Sequence, residues 1–139
     1  GSMGPLYGTF FKRFFRESKN EEKITAPVFL RMLESALNAV MELGNAKVGD
    51  KTLIDTLSPA VETFKSSIEN NENFEYALTH ALEAARKGRD STKDMIAKVG
   101  RSARLGERSR GVLDAGSVSC YIILETMCNT VIDLLDQGK

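Results

Sequence analysis

The sequence lacks an excess of charge of either sign. Its 19 Lys and Arg residues balance 19 Asp and Glu residues, so the formal net charge is +0 and the pI is about 6.8. A neutral chain gives no reason to assume a basic face, and composition therefore provides no argument for direct nucleic-acid binding. The length of 139 residues, with 42% hydrophobic and 27% charged residues, is typical of one globular domain, which we predict to span residues 1–139.

Long apolar runs and targeting signals are also missing. No unbroken apolar run approaches the roughly 20 residues of a membrane-spanning helix, and no secretory-signal pattern is present. Cysteine is scarce: Cys120 and Cys128 lie eight residues apart in one predicted helix, which puts their α-carbons about 12 Å apart and prevents a bridge. We therefore expect a cytoplasmic protein with reduced thiols and no membrane contact.

Alternating strand patterns, internal repeats and low-complexity tracts do not occur. What the sequence contains is apolar residues at spacings of three and four, which is typical of amphipathic helices. With Thr25 as the N-cap of the second helix and Pro27 in its first turn, the spacing predicts an all-α fold with helices that begin near Phe10, Thr25, Asp50, Phe74 and Val118. The fourth of these is expected to continue to about Val99. The last, over residues 118–135, is apolar on most sides, so we expect it in the centre of the bundle.

Histidine is represented by one residue. His80 lies in the helical stretch EYALTHALEAA without a carboxylate pattern around it. A histidine in this setting is usually an ordinary core or surface residue. We therefore assign no metal ligand to it.

Three glycine-containing stretches interrupt the helical pattern. They are GSMGPLYG at 1–8, GNAKVGDKTLIDTL at 44–57 and GRSARLGERSRGVLDAGS at 100–117. Glycine lets a ligand approach the backbone closely, and free N–H groups at the start of a helix favour phosphate. The third stretch adds guanidinium groups, which match phosphate oxygens. These junctions are therefore candidate phosphate sites.

Each stretch also has a simpler interpretation. The residues GSM are what a cleaved expression tag leaves, and 44–57 has the length of an ordinary helix connection capped by Asp50. The arginine-rich stretch is equally compatible with a solvated loop partly neutralised by Glu107. The residues taken singly leave both interpretations open.

Taken together and in this order, the three stretches resemble the nucleotide-binding L subunit of dihydroxyacetone kinase and the equivalent C-terminal domain of the single-chain, ATP-using kinases. The family pattern runs G-G-x-S-G-P-L-[YF]-G, then P-G-D-[KR]-T-M-x-D, then G-R-A-S-Y-L-G-E-R-S, and ends D-P-G-A. The resemblance covers the chain from end to end, and the wording GPLYGTFF separates it from the related fatty-acid kinase domain.

The resemblance implies an antiparallel helical barrel that holds ADP or ATP through Mg²⁺ at one end. It further implies that a phosphoryl group passes to dihydroxyacetone bound covalently on a separate K subunit or domain. In one branch of the family a phosphotransferase M subunit recharges bound ADP, and in the other ATP exchanges. In either branch the protein contributes positioning and charge neutralisation.

The resemblance also implies nucleotide-binding positions. Ser2 and Met3 match the loop that contacts the phosphates, and Gly4 gives this loop its close approach. Gly44 and Leu53 match positions beside the nucleotide, on the adenine side. The remaining matches are the family's arginine and its D-P-G contact, which correspond here to Arg101, Asp114, Ala115 and Gly116.

Some positions depart from the family pattern. Met3 stands where relatives have serine, which removes a hydroxyl contact to phosphate, and Ala115 stands where they have proline. The family's magnesium ligands are aspartates in a G-D-x-D-H-G segment upstream of the first stretch, and this sequence contains no such segment. Because magnesium supplies much of the charge neutralisation, we expect little or no kinase activity from these residues alone.

The missing segment also bears on assembly. We expect a partial L-subunit domain that lacks its first helices, either as a fragment or as one of two copies that complete each other's core. A homodimer is expected in the second case, since the truncated helix set would expose apolar surface. The alternative function is a non-catalytic helical interaction or regulatory module derived from the same family.

Overall fold

The computed structural model describes residues 3–138, without the side chain of Arg101, as an all-helical chain. Its α-helices are α1 Met3–Arg16, α2 Ala26–Gly44, α3 Ile54–Glu69, α4 Phe74–Ser91 and α5 Ala115–Gln137. Two 3₁₀ segments, Thr92–Asp94 and Arg101–Ser109, lie between α4 and α5. No strand occurs within residues 3–138. The predicted all-α fold class is confirmed.

Side-chain caps explain where several helices begin. The Thr25 hydroxyl accepts a hydrogen bond from the Val28 N–H at 3.4 Å, as the sequence predicted, and Asn73 accepts one from the Tyr76 N–H at 2.7 Å. Each cap satisfies an N–H that has no partner within its helix. At its other end α2 is followed by Asn45, whose φ of 48° is left-handed and stops the helix.

Three predicted helix boundaries are wrong. Helix α1 begins at Met3 rather than near Phe10, because Pro5 falls in the first turn, where no backbone N–H is required. Helix α3 begins at Ile54 rather than near Asp50, because Gly49 and Lys51 have φ values of 99° and 64°. Helix α4 ends at Ser91 rather than near residue 99, and the Lys98 N–H instead donates to the Asp50 carbonyl at 3.2 Å.

Helix α3 forms the centre of the core. Its inward side chains are 0–1% exposed: Ile54, Leu57, Val61 and Phe64. Helices consecutive in sequence pack against each other, and α5 packs against both α4 and α3. Phe29 of α2 joins the layers, with its ring centroid 5.7 Å from that of Phe14 and 5.4 Å from that of Phe64. An aromatic cluster therefore links α1, α2 and α3.

Helix α5 lies at the side of the bundle, so its predicted central position is wrong. Its buried residues form one stripe of Ser117, Cys120, Leu124 and Cys128, whereas Ile122 and Leu134 are 56% and 60% exposed. Both cysteines are free thiols, as expected, and burial raises the pKa of each to about 12. Only one face of α5 is covered by the other described helices.

Helix α5 also has the length and composition of a membrane-spanning helix, with a mean hydropathy of 1.5 over its most apolar window. Polar residues such as Thr126 and Asn129 interrupt the run, which is why a count of unbroken apolar residues missed it. Core helices of soluble proteins meet the same criterion. Length and composition alone therefore do not distinguish the two settings.

Gly88 allows the closest approach between α4 and α3. A β-carbon placed on Gly88 would lie 2.1 Å from the backbone oxygen of Asp55 and 3.2 Å from Cγ of Pro59. The first distance is far below van der Waals contact, and a backbone atom cannot rotate away as a side chain can. Glycine is therefore required at this helix crossing.

We expect Gly88→Ala to lower the free energy of unfolding by roughly 3 kcal/mol, because the helices must separate to admit the methyl group. Gly8→Ala is the matched control: Gly8 is an exposed residue of α1 with no atom within 4 Å of the added carbon. This control should stabilise the chain by about 0.5–1 kcal/mol. Urea denaturation of both variants measures the effects, and equal changes would contradict the close-approach argument.

Candidate functional site

The starts of α1, α3 and α5 converge at one end of the molecule. A β-carbon placed on Gly116 would lie 3.3 Å from Cε of Met3 and 3.6 Å from the backbone nitrogen of Leu53. The Tyr7 hydroxyl reinforces this contact, since it donates to the Gly116 carbonyl at 3.3 Å and lies 2.5 Å from the Ser119 hydroxyl. The structure therefore brings together Met3, Leu53 and Gly116, which the family resemblance had placed in one site.

The positive ends of three helix dipoles meet at this junction, next to the Asp114 carboxylate. Met3 is the first residue of α1, Leu53 is the N-cap of α3, and Gly116 is the second residue of α5. The first N–H groups of a helix have no intrahelical partner, and the helix dipole adds about half a positive charge at that end. The dipoles of three such ends together favour an anion such as a phosphate group, while the first N–H groups of α3 already donate to Thr52 and Leu53.

The start of α5 is fixed to the turn before α3 by buried hydroxyl groups. The Ser117 hydroxyl donates to the Thr52 carbonyl at 2.6 Å, and the Thr56 hydroxyl donates to the Ser117 carbonyl at 3.1 Å. Ser117 and Thr56 are both fully buried. Neither residue was predicted from the sequence, because a single hydroxyl in a helix carries no recognisable pattern.

Asp114 caps α5 and is half-buried. Its carboxylate accepts a hydrogen bond from the Ser117 N–H at 2.8 Å, and its own N–H donates to the Thr92 hydroxyl at 3.0 Å. Burial raises the pKa of the Asp114 carboxyl, while the bonds from Ser117 and the positive charge of Lys51 oppose that shift. Asp114 thus orders the start of α5, where Ala115 is exposed and Gly116 faces Met3.

The turn that leads into α3 is held by two buried aspartates. The Asp55 carboxylate accepts hydrogen bonds from the N–H groups of Gly49 at 2.6 Å and Thr52 at 2.9 Å. The Asp50 carboxylate accepts one from the Lys47 N–H at 3.0 Å. Both carboxylates are therefore used to shape the backbone of the turn. This role accounts for the aspartates in the stretch GDKTLID.

Gly44 lies at the opposite end of α2 from the Thr25 cap and contacts α1. A β-carbon placed on it would lie 3.4 Å from Cδ2 of Leu6. A surface depression of about 650 Å³ begins beside it, lined by Asn38, Met41, Glu42, Asn45, Ala46 and Lys47. Gly4 is exposed in the first turn of α1 with no atom within 4 Å of its added carbon. The depression therefore adjoins Gly44, and Gly4 is open to solvent.

Two predicted positions are not described. Ser2 lies outside the described residues, and the side chain of Arg101 is not described either. The backbone of Arg101 begins the second 3₁₀ segment, directly after Gly100, whose φ is 74°. Proximity of Ser2 and the Arg101 guanidinium to the three helix starts therefore stays a prediction.

Metal ligation finds no support in the described residues. Between residues 3 and 138, no group of three or more His, Cys, Asp or Glu side chains is placed to hold a metal ion. His80 instead has its Nδ1 3.9 Å from the Glu72 carboxylate, and its ring is tilted by 45° against that of Tyr76 with the ring centroids 4.2 Å apart. These residues do not fit a magnesium site.

The chain is similar to kinase sequences. A family model described as the DAK2 domain matches residues 1–129. The ADP-binding subunit DhaL of the PEP-dependent dihydroxyacetone kinase of Escherichia coli (strain K12) is 35% identical, over 91% of this chain and 60% of that subunit. The DhaL subunit of dihydroxyacetone kinase 2 of Listeria innocua is 34% identical, over 91% of this chain and 58% of that subunit.

A single-chain enzyme is similar as well. The D-erythrulose kinase of Mycolicibacterium smegmatis is 29% identical over 100% of this chain and 24% of its own length. The chain therefore spans about 60% of the length of the two DhaL subunits and about a quarter of this longer kinase.

The raised pKa of Asp114 predicts a pH-dependent contribution to stability. The folded state binds a proton at Asp114 more tightly than the unfolded state does, so wild-type stability is lost as pH rises from the ordinary value of 3.8 through the raised pKa. Asp114→Asn retains an N-cap acceptor but cannot titrate. Its free energy of unfolding should therefore increase relative to wild type over that interval and then level off.

Asp114→Ala distinguishes the contribution of the N-cap hydrogen bond from that of the titrating carboxyl group. It removes the acceptor for the Ser117 N–H, so its free energy of unfolding should lie about 1 kcal/mol below that of Asp114→Asn at every pH. Denaturant unfolding of the three proteins at several pH values between about 4 and 7 measures both effects. The burial argument would be contradicted if the stability of Asp114→Asn relative to wild type did not change with pH, or if it decreased as pH rises.

Proposed function

Since the chain belongs to the DAK2 domain family, we propose that it is the nucleotide-binding part of a dihydroxyacetone kinase and holds ADP or ATP. The observation that carries this proposal is the junction of three helix starts, where Gly116 lies against Met3 and the backbone nitrogen of Leu53. A diphosphate is the ligand that such a junction suits, because several backbone N–H groups and helix dipoles act on one anion.

In the proposed binding mode, the phosphates lie at the start of α1 and the adenine lies towards the end of α2. Ser2, Met3 and Gly4 would donate backbone N–H groups to phosphate oxygens, and Arg101 would add a guanidinium. Gly44 and Leu53 would border the base, beside the depression at the end of α2. Asp114, Ala115 and Gly116 would close the site from α5.

The proposed reaction is transfer of a phosphoryl group from the nucleotide to a hydroxyl of dihydroxyacetone bound on a K subunit. The nucleotide is either ATP that exchanges or ADP that an M subunit recharges. Mg²⁺ would supply neutralisation of the phosphate charge, and its ligands would come from residues other than those described. The role of this chain is then to hold the phosphates in line and neutralise their charge. Such a kinase subunit would act in the cytoplasm, without contacting a membrane or nucleic acid.

Nucleotide binding is the test of this proposal. We expect ADP with Mg²⁺ to bind the chain, and to bind more tightly when the chain is extended upstream by a G-D-x-D-H-G segment. Arg101→Ala should weaken binding about ten- to a hundredfold, because a charge-assisted hydrogen bond is lost. Arg104→Ala is the matched control, since this exposed arginine stands where relatives have tyrosine and should change binding little.

Isothermal titration calorimetry measures these affinities. Failure of the extended chain to bind any adenine nucleotide would refute the proposed function. If it still bound a K subunit or another protein, the alternative of a non-catalytic interaction module would replace the kinase assignment.

We also propose that the chain forms a homodimer through the outer face of α5. Ile122 and Leu134 on that helix are 56% and 60% exposed, and Phe15 of α1 is 59% exposed. Apolar side chains of this size favour association when they lie on one surface.

Size-exclusion chromatography with light scattering at micromolar concentration should therefore show a dimer. Ile122→Glu should shift it towards monomer, because a charge is placed on the associating face. Val48→Glu is the matched control: Val48 is as exposed as Ile122, at 56%, but lies in the turn before α3. A monomeric wild type, or equal effects of both substitutions, would rule out association through α5.

A further inference from the structure

Lys51 is a buried lysine in the turn before α3. The residue is 4% exposed, and its backbone has a left-handed φ of 64°. This conformation is disfavoured for a residue with a β-carbon, and buried lysine is rare in folded proteins. Two unfavourable features at one residue indicate that its side chain has a specific role.

The Lys51 ammonium makes three hydrogen bonds to backbone carbonyls. Its Nζ donates to the carbonyl oxygens of Met95 at 3.2 Å and Val112 at 2.7 Å, and also to that of Ser109. An ammonium group has three N–H donors, so these three acceptors satisfy it completely. The charge is therefore buried without leaving a donor unpaired, which is the condition for tolerating it.

The three acceptors bracket one segment of the chain. Residues 95–112 connect the end of α4 to the start of α5 and contain Gly100 and Arg101. Among the described side chains of this segment, only Ala97 and Ser109 are buried. A segment with so little apolar burial depends on polar contacts for its order.

Other polar contacts reach the segment near the same place. The Ala97 N–H donates to the Ser109 hydroxyl at 2.8 Å, which in turn donates to the Gly106 carbonyl at 2.6 Å. The Lys98 N–H donates to the carbonyl of Asp50, the neighbour of Lys51. The segment is thus attached to the turn before α3 at both of its ends, and Lys51 is the residue that contacts both.

We propose that Lys51 is a positioning residue that holds segment 95–112 in place before the ligand arrives, and so presents Gly100 and Arg101 to the nucleotide. This role rests on the proposed function for its ligand. The ordering of segment 95–112 by Lys51 does not depend on that function, because it concerns the ligand-free chain. Lys51 itself contacts no ligand in this scheme and acts only through the carbonyls it binds.

A general stabilising role is the competing explanation and makes a different prediction. If Lys51 only contributed to global stability, its loss would speed hydrogen exchange in the core helices as much as in segment 95–112. A positioning role loosens the segment alone. The amides of Ala97, Lys98 and Gly111 report on the segment, since each donates a described hydrogen bond, and the amides of Phe64 and Leu78 report on the core.

The test compares three variants of this chain by amide hydrogen exchange without ligand. Lys51→Met removes the ammonium at nearly constant length, and Lys51→Arg retains the charge and the donors. Lys12→Met is the control, since Lys12 is an exposed residue of α1 outside the candidate site. We expect Lys51→Met to speed exchange in segment 95–112 about tenfold with the core unchanged. Lys51→Arg should restore most of the protection, and Lys12→Met should resemble wild type.

The same variants are then titrated with ADP and Mg²⁺. Affinity should fall about tenfold in Lys51→Met and recover in Lys51→Arg. A second readout is the pKa of the Asp114 carboxyl by NMR, which should rise in Lys51→Met because an opposing positive charge is removed.

If Lys51→Met does not fold, Lys51→Gln takes its place under the same criteria. The glutamine side chain keeps two N–H donors without the charge.

Unchanged exchange in segment 95–112, or equal loosening of segment and core, would overturn the positioning role. Wild-type affinity in Lys51→Met would overturn it as well, and would leave the proposed nucleotide function intact. Absence of ADP binding by both the wild-type chain and the chain extended upstream would instead count against the proposed function, and the exchange data alone would then decide whether Lys51 orders the segment.

Discussion

The structure depends on the buried polar turn that precedes α3. The Asp55 carboxylate fixes the backbone of this turn through the N–H groups of Gly49 and Thr52, and its own carbonyl lies against Gly88 of α4. The start of α5 is attached to the same turn through Ser117. Because buried polar groups are costly unless each is paired, the turn has one acceptable conformation. That conformation determines where the starts of α3 and α5 meet α1.

Much of the fold could be predicted from local patterns. Apolar spacing of three and four residues located all five α-helices, and Thr25 was identified as a cap from its position before Pro27. Boundaries failed where the deciding contacts are distant in sequence. The start of α3 depends on the left-handed backbone of Lys51, and α4 ends before the Lys98 N–H bonds to Asp50. The peripheral position of α5 also could not be predicted, since an apolar helix is compatible with several environments.

The candidate site was predicted by resemblance rather than by composition. Met3, Leu53 and Gly116 are far apart in sequence, and only a family pattern or a fold can bring them together. Lys51 escaped prediction because a lysine between an aspartate and a threonine normally indicates a solvated turn. The available signal was its place in the pattern P-G-D-[KR]-T-M-x-D of the family that the chain resembles, which has a basic residue at this position.

The two thiols of α5 have a practical consequence. Cys120 and Cys128 lie on the stripe that packs against the rest of the bundle, and burial raises the pKa of both to about 12. Since the thiolate is the reactive form, alkylating reagents can label these positions only when α5 detaches. Labelling rates followed by mass spectrometry would thus report the opening of this helix in the unaltered sequence, without any introduced probe.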